Sequence, residues 1–206
     1  MVKRSGSNRW LQRQKKDVFV KQAQQSHYRS RAVYKLLEIN RKDKLFTAGQ
    51  TIIDLGAAPG SWSQYASEQL GQKGKIIAVD SLSMDPIDNV LFIQGDFTEE
   101  STCNNVMQAL QGRSVDLVIS DMAPNLSGIK TTDQARSMYL AELVKDLACQ
   151  VLKPGGRLLT KVFEGEGVDS YRQDLREHFH KVVTRKPEAS RKDSREIYVL
   201  ASIFKI

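Results

Sequence analysis

With 206 residues, 40% hydrophobic and 27% charged, the chain has the size and composition of one ordinary globular domain with a sizeable core. Its apolar runs are too short for a membrane helix, which needs about 20 residues, and its basic N-terminus lacks the apolar centre of a secretory leader. Residues 1–35 carry ten Lys/Arg against one acid, Asp17, whereas the rest carries 21 basic and 23 acidic residues, so the first sixth accounts for the whole net charge of +7. A polyanionic partner explains that gradient; a solvated basic arm without a role is the plain alternative. Cys103 and Cys149 stand far apart in predicted helices and are expected as reduced thiols of a cytoplasmic protein, with no disulfide and no metal.

In chain order, residues 1–25 read as a basic N-terminal arm, and residues 26–206 as a single folded domain. "HYRSRAVYKLLEINRKDKLF" has a helical apolar period through Ala32, Val33, Leu36, Leu37 and Ile39. Short β-rich runs then alternate with helical stretches. Strands are predicted at 51–55, 75–79, 90–93, 115–119, 157–163, about 181–185 and 197–204. Helices are predicted at about 61–70, 101–111, 134–152 and 168–179. "KPGG" at 153–156 reads as the turn that ends the long helix. The alternation implies an α/β fold: an open, mostly parallel sheet with helices on both faces. The last two strands, with no helix between them, suggest a hairpin and an antiparallel edge strand. Ligands of such sheets lie beyond the carboxyl ends of the strands.

One such end is "DLGAAPGSW", residues 54–62. Gly56, Ala57, Ala58 and Gly60 let a ligand approach the backbone closely. The stretch is not the G-x-G-x-x-G that cradles a pyrophosphate, since alanines and Pro59 interrupt it. It fits S-adenosylmethionine better, because further acids follow where that nucleoside needs them. Asp80 ends the second strand, where it can accept the ribose hydroxyls. Asp96 follows the third and suits the adenine, and Asp121 follows the fourth and faces the methyl. An acid after a strand is often only a helix cap, but four in succession make a pattern. Asp54 reads as a shaper of the turn, and Trp62 as a cofactor neighbour or a core residue.

These stretches, with "AVD", "GDF", "DMAPN", "LTKVF" and "SREIY", resemble the FtsJ/RrmJ family of ribose 2′-O-methyltransferases, in its bacterial large-subunit rRNA branch, from about Tyr28 onward. The resemblance implies a Rossmann-like class I S-adenosylmethionine-dependent methyltransferase with seven strands, one of them antiparallel. It assigns a Lys-Asp-Lys-Glu tetrad to Lys35, Asp121, Lys161 and Glu196, with Lys161 as proton acceptor or orienting group. It places the cofactor on Gly56, Gly60, Trp62, Asp80, Asp96 and Asp121. It implies that a uridine of 23S rRNA is methylated at the ribose 2′-hydroxyl, on the assembled or nearly assembled 50S subunit, by a monomer.

Two basic clusters lead into tetrad positions: Lys15, Lys16, Lys21, Arg29 and Arg31 ahead of Lys35, and Arg191, Lys192 and Arg195 ahead of Glu196. Together they read as an RNA track. Three rivals stay open: another RNA such as tRNA with the same chemistry, a non-catalytic ribosome-assembly factor, and a nicotinamide-dependent dehydrogenase. His27, His178 and His180 have no ligand spacing.

Overall fold

The computed structural model describes residues 18–191 and 193–206. Seven strands form one sheet: β1 (Thr51–Leu55), β2 (Lys75–Asp80), β3 (Val90–Gln94), β4 (Val115–Ser120), β5 (Leu152–Phe163), β6 (Phe179–Arg185) and β7 (Glu196–Phe204), in the order β3-β2-β1-β4-β5-β7-β6. The helices are α1 (Val18–Gln25), α2 (Val33–Asp43), α3 (Ser61–Leu70), α4 (Glu100–Leu110), α5 (Lys130–Val151) and α6 (Val168–His178).

The central strands are apolar on both faces, as a sheet covered on both sides requires. Period-two alternation divides their side chains between two cores. Ile53, Leu55, Val79, Val118, Leu158 and Val162 pack with Val106 of α4, Ala141, Val144 and Leu147 of α5, and Leu175 of α6. Ile52, Ile76, Leu117, Ile119, Leu159 and Tyr198 pack under Val33, Leu36 and Ile39 of α2 and Trp62 and Ala66 of α3.

Two expectations are corrected. The antiparallel strand is not at the edge. β7 runs between β5 and β6 and pairs antiparallel with both, leaving β6 outermost. This insertion sets Glu196 opposite Phe163 and Tyr198 opposite Lys161. "KPGG" is not a separate turn either. β5 starts at Leu152 directly after α5, and the irregularity is absorbed inside the strand by Gly155, at φ 80°, and a register shift against β4 between Val115 and Leu117. The long helix begins at Lys130, one turn earlier than predicted. The Asp133 carboxylate accepts bonds from Ser127 N, Ser127 Oγ and Gly128 N, which fastens the preceding loop onto the first turn of α5.

The segment between β6 and β7 is tied to α2. Glu38 accepts from the backbone N–H of Glu188 and Ala189 at 2.6 and 2.9 Å, and Arg185 grips Asp43 through two bonds of 2.7 and 2.6 Å. Lys35 and Glu196, 161 positions apart, are thereby brought to one rim.

Candidate active site

Two cavities open beyond the carboxyl ends of the strands. The first, about 470 Å³, is bordered by Gly56 and Ala58 after β1, Asp80 to Leu82 after β2, Gly95 to Thr98 after β3, and Asp121 to Asn125 after β4. Its floor is the glycine turn. Gly56 has φ 76° and Gly60 φ 102°. A Cβ on Gly56 would lie 2.7 Å from Met122 Cγ and 3.0 Å from the Met122 backbone, and one on Gly60 would lie 2.6 Å from Met84 Sδ. Both positions therefore need glycine for backbone angle and for space.

The acids here hold the turn as well as border the cavity. Asp80 Oδ2 accepts from Ala58 N at 2.9 Å and Oδ1 from Leu82 N at 2.8 Å, which fixes its carboxylate. Asp96 accepts from Thr98 N and Thr98 Oγ1, both on Oδ1, and these bonds hold its carboxyl below the usual range. Asp54 lies beneath the turn, wholly buried. Ser63 Oγ donates to its Oδ2 at 2.6 Å, while Oδ1 has no hydrogen-bond partner among the described residues. Burial pushes its carboxyl up to about 7, with Asp121 and Asp80 adding to the rise and the Ser63 bonds opposing it.

The second cavity, about 580 Å³, borders the first. It is lined by Ser30, Arg31, Ala32 and Lys35 from the start of α2, by Leu126, Asp133 and Phe163, and by Arg191 and Asp193 to Glu196 ahead of β7. At the carboxyl ends of the strands stand four charged side chains. Lys161 donates to the Asp121 backbone carbonyl and reaches Asp121 Oδ1 at 3.0 Å, with Glu196 Oε1 at 4.0 Å. Lys35 pairs with Glu196 Oε2 at 3.1 Å. Both lysines are nine-tenths buried. Burial alone would raise the Asp121 carboxyl. Lys161 and Lys35, with the Tyr198 hydroxyl, overcome it and hold the group below its ordinary value.

The structure thus brings together all four residues of the expected tetrad, from α2, the end of β4, β5 and the start of β7. Tyr198 joins them. Its hydroxyl donates to Asp121 Oδ1 at 2.6 Å, and Lys35 Nζ lies 5.8 Å from its ring centre. Burial and the charges of Asp121 and Glu196 push that phenol well up, so it remains a donor. The signal is present in "SREIY": residues two apart on a strand share a face, so Glu196 and Tyr198 point the same way.

The other expected residues divide. Trp62 is a core side chain, 2% exposed, whose indole N–H donates to Ala32 O at 2.8 Å and whose ring lies 5.7 Å from that of Tyr198. It reaches the first cavity only through its backbone in the first turn of α3, where N–H groups lack helical acceptors. Arg31, Arg191 and Arg195 meet in the second cavity. Arg29 faces the turn instead, donating to Pro59 O, Asp85 O and Pro86 O at 3.1, 2.7 and 2.7 Å. Lys21 is exposed on α1. Lys15, Lys16 and Lys192 lie outside the described residues. Among those described, no cluster of His, Cys, Asp and Glu could hold a metal ion, and Cys103 and Cys149 are free thiols.

A parallel-sheet α/β unit with a glycine turn, acids after successive strands and a lysine–carboxylate cluster at the same rim defines a group-transfer enzyme that uses a nucleoside cofactor. More narrowly, the chain belongs to the FtsJ-like methyltransferases, whose family model matches residues 28–204. It is 58% identical over 202 residues to the ribosomal RNA large subunit methyltransferase E of Alkalilimnicola ehrlichii, covering 98% of this chain and 97% of that protein. Its counterpart from Marinobacter nauticus is 56% identical over 206 residues, all of both chains. Among solved structures, a ribosomal RNA methyltransferase from Plasmodium falciparum superposes with a TM-score of 0.77 at 33% identity, covering 86% of this chain and 98% of the other. Among the described residues, no helix is long and apolar enough to cross a membrane.

Proposed function

We propose that this methyltransferase transfers the methyl group of S-adenosylmethionine to the ribose 2′-hydroxyl of a uridine in 23S rRNA, presented on the 50S subunit. The observation that carries the reading is Lys161, buried between Asp121 and Glu196 where the two cavities adjoin. The first cavity suits the cofactor. The carboxylates of Asp80 and Asp96 match vicinal ribose hydroxyls and an adenine amine, Gly56 and Gly60 leave backbone open to the ligand, and Trp62 contributes backbone only. When bound, the cofactor supplies an activated methyl on a sulfonium.

The protein's task is then to aim a poor nucleophile and manage its proton. An ammonium has three donors. Lys161 directs two at Asp121, leaving one for the substrate oxygen, so it orients the hydroxyl and stabilises the developing alkoxide. In its neutral form Nζ takes the hydroxyl proton instead, and the pH dependence of the single-turnover rate distinguishes the two states. Lys35 and Glu196 hold the ribose. Asp121, fixed by Tyr198, holds Lys161 against the methyl-donor cavity. Positioning of this kind supplies several kcal/mol of barrier reduction.

Residues 26–206 form the catalytic unit and residues 1–25 a basic arm. Lys15, Lys16, Lys21, Arg31, Arg191, Lys192 and Arg195 serve as the RNA track, with Arg29 bracing the arm against the turn. The enzyme works as a monomer in the cytoplasm. Comparable names and near-complete coverage of the curated relatives support the rRNA substrate. Labelled S-adenosylmethionine, offered with undermodified 50S subunits, naked rRNA and tRNA, tests this. Label should enter an alkali-resistant dinucleotide of the large subunit and vanish with Lys161→Ala. Label on tRNA would overturn the substrate, and none anywhere would overturn the enzyme.

A further inference from the structure

The loop between β4 and α5 is a wall shared by the two cavities. Residues 121–125 line the first, and Leu126 lines the second. α5 braces this wall from below: Arg136 donates to Asn125 O at 3.3 Å, and Asp133 takes the Ser127 and Gly128 donors. So braced, Leu126 is 69% exposed at the mouth of a cavity. A fixed, exposed aliphatic residue beside a buried ionic cluster has no structural work to do there.

The other lining explains what it meets. Arg195 lies over the Phe163 ring, 5.8 Å from its centre, and its Nη1 donates to Gln134 Oε1 at 3.4 Å. Gln134 is itself fixed by bonds to Phe163 O and Glu166 O. The guanidinium is therefore a positioned flat surface. The cavity's charge is mixed, since Asp133, Asp193 and Glu196 accompany its cations. That disfavours a phosphate cradle. A flat, neutral ligand with polar edges suits such a lining, and nucleobases splayed from RNA are held in this way, by stacking on Arg planes and apolar faces.

Resting on the function proposed above, we infer that the second cavity is the slot for the base of the target nucleotide, bounded by Leu126 and the Arg195–Phe163 stack. Covalent geometry supports the assignment. The base hangs from C1′, adjacent to the carbon bearing the reacting hydroxyl. With that hydroxyl at Lys161 and the methyl donor in the first cavity, the base must enter the cavity on the other side of the tetrad.

The test measures methyl transfer to undermodified 50S subunits alongside calorimetric affinity for S-adenosylmethionine. Leu126→Ala should lower kcat/KM about tenfold, the scale of packing against one base, with cofactor affinity unchanged. Leu126→Met should restore most of it. Ile129→Ala, on the same loop but lining neither cavity, should behave as wild type. Subunits carrying 4-thiouridine should photocrosslink to residues 122–129 or 194–196. Wild-type kcat/KM in Leu126→Ala, a parallel loss of cofactor affinity, or crosslinks confined to other segments would each overturn the slot. Active wild-type protein with any of these results leaves the methyltransferase reading standing, whereas inactive wild type removes both.

Discussion

The two cavities are built in different ways. The first comes from consecutive strand ends, β1 to β4, and its key groups lie within about 70 positions of chain. It relies on backbone and on short bonds such as Ala58 N to Asp80. The second comes from α2, β5, β7 and the segment ahead of β7, joined by bonds across more than 150 positions, among them Lys35 to Glu196 and Glu38 to Ala189. A turn that cradles a common cofactor can be encoded locally. A site that must aim one hydroxyl of a large RNA takes rigid groups from several elements. The tetrad stands where the halves meet, and Asp121 belongs to both.

The sharpest way to break this comparison is to remove the group at the junction. Lys161→Ala should cut single-turnover methyl transfer by about 10²–10⁴-fold while leaving cofactor affinity within a few-fold. Equal losses of rate and of cofactor affinity would mean that the two halves are not separable. Gly56→Ala should act on the first half alone. Forcing a Cβ against Met122 in a left-handed conformation should weaken cofactor binding at least tenfold, and lower stability by about 1–3 kcal/mol, read by calorimetry and thermal melting.

Asp54 gives a pH signature. Its native carboxyl titrates near 7, whereas the unfolded group titrates near 3.8. The folded state therefore holds an extra proton between those values. The stability from this group is full below the lower value and is lost as pH rises through the upper one. Asp54→Asn should flatten the fall in Tm between pH 5 and pH 8 and be relatively more stable at pH 8. An unchanged slope would show that Asp54 is ionised throughout.

Two smaller effects complete the series. Tyr198→Phe removes one donor to Asp121, which Lys161 still holds, so a loss of about 1 kcal/mol and a Tm drop of roughly 2–4 °C are expected. On the RNA side, Lys21→Gln with Arg191→Gln should weaken subunit binding and reduce the slope of log affinity against log salt by about 1 for each cation that meets a phosphate. An unchanged slope would remove those residues from the track.

Much of this is legible in the sequence. Every strand can be located there, because both-face burial makes β1, β2 and β4 continuous apolar runs. The tetrad follows from the resemblance of "DMAPN", "LTKVF" and "SREIY" to a known family, since nothing in their spacing says that Lys35 meets Glu196. Tyr198 is hidden within one of those motifs as an ordinary strand aromatic, and charge alone groups Arg29 with the RNA-facing cations. Its guanidinium instead spans Pro59, Asp85 and Pro86.

By itself, then, the sequence determined what depends on near neighbours: the alternation of strand and helix, the glycine turn, the acids after β2, β3 and β4, and the basic polarity of one end. The tertiary structure alone decided the insertion of β7 between β5 and β6, the brace of α2 on the segment ahead of β7, and the division of the rim into two cavities by the 121–129 loop. The reason is physical. Period and turn chemistry act over a few residues. Strand order and the meeting of buried charges are settled by packing and desolvation among residues that the chain itself keeps far apart.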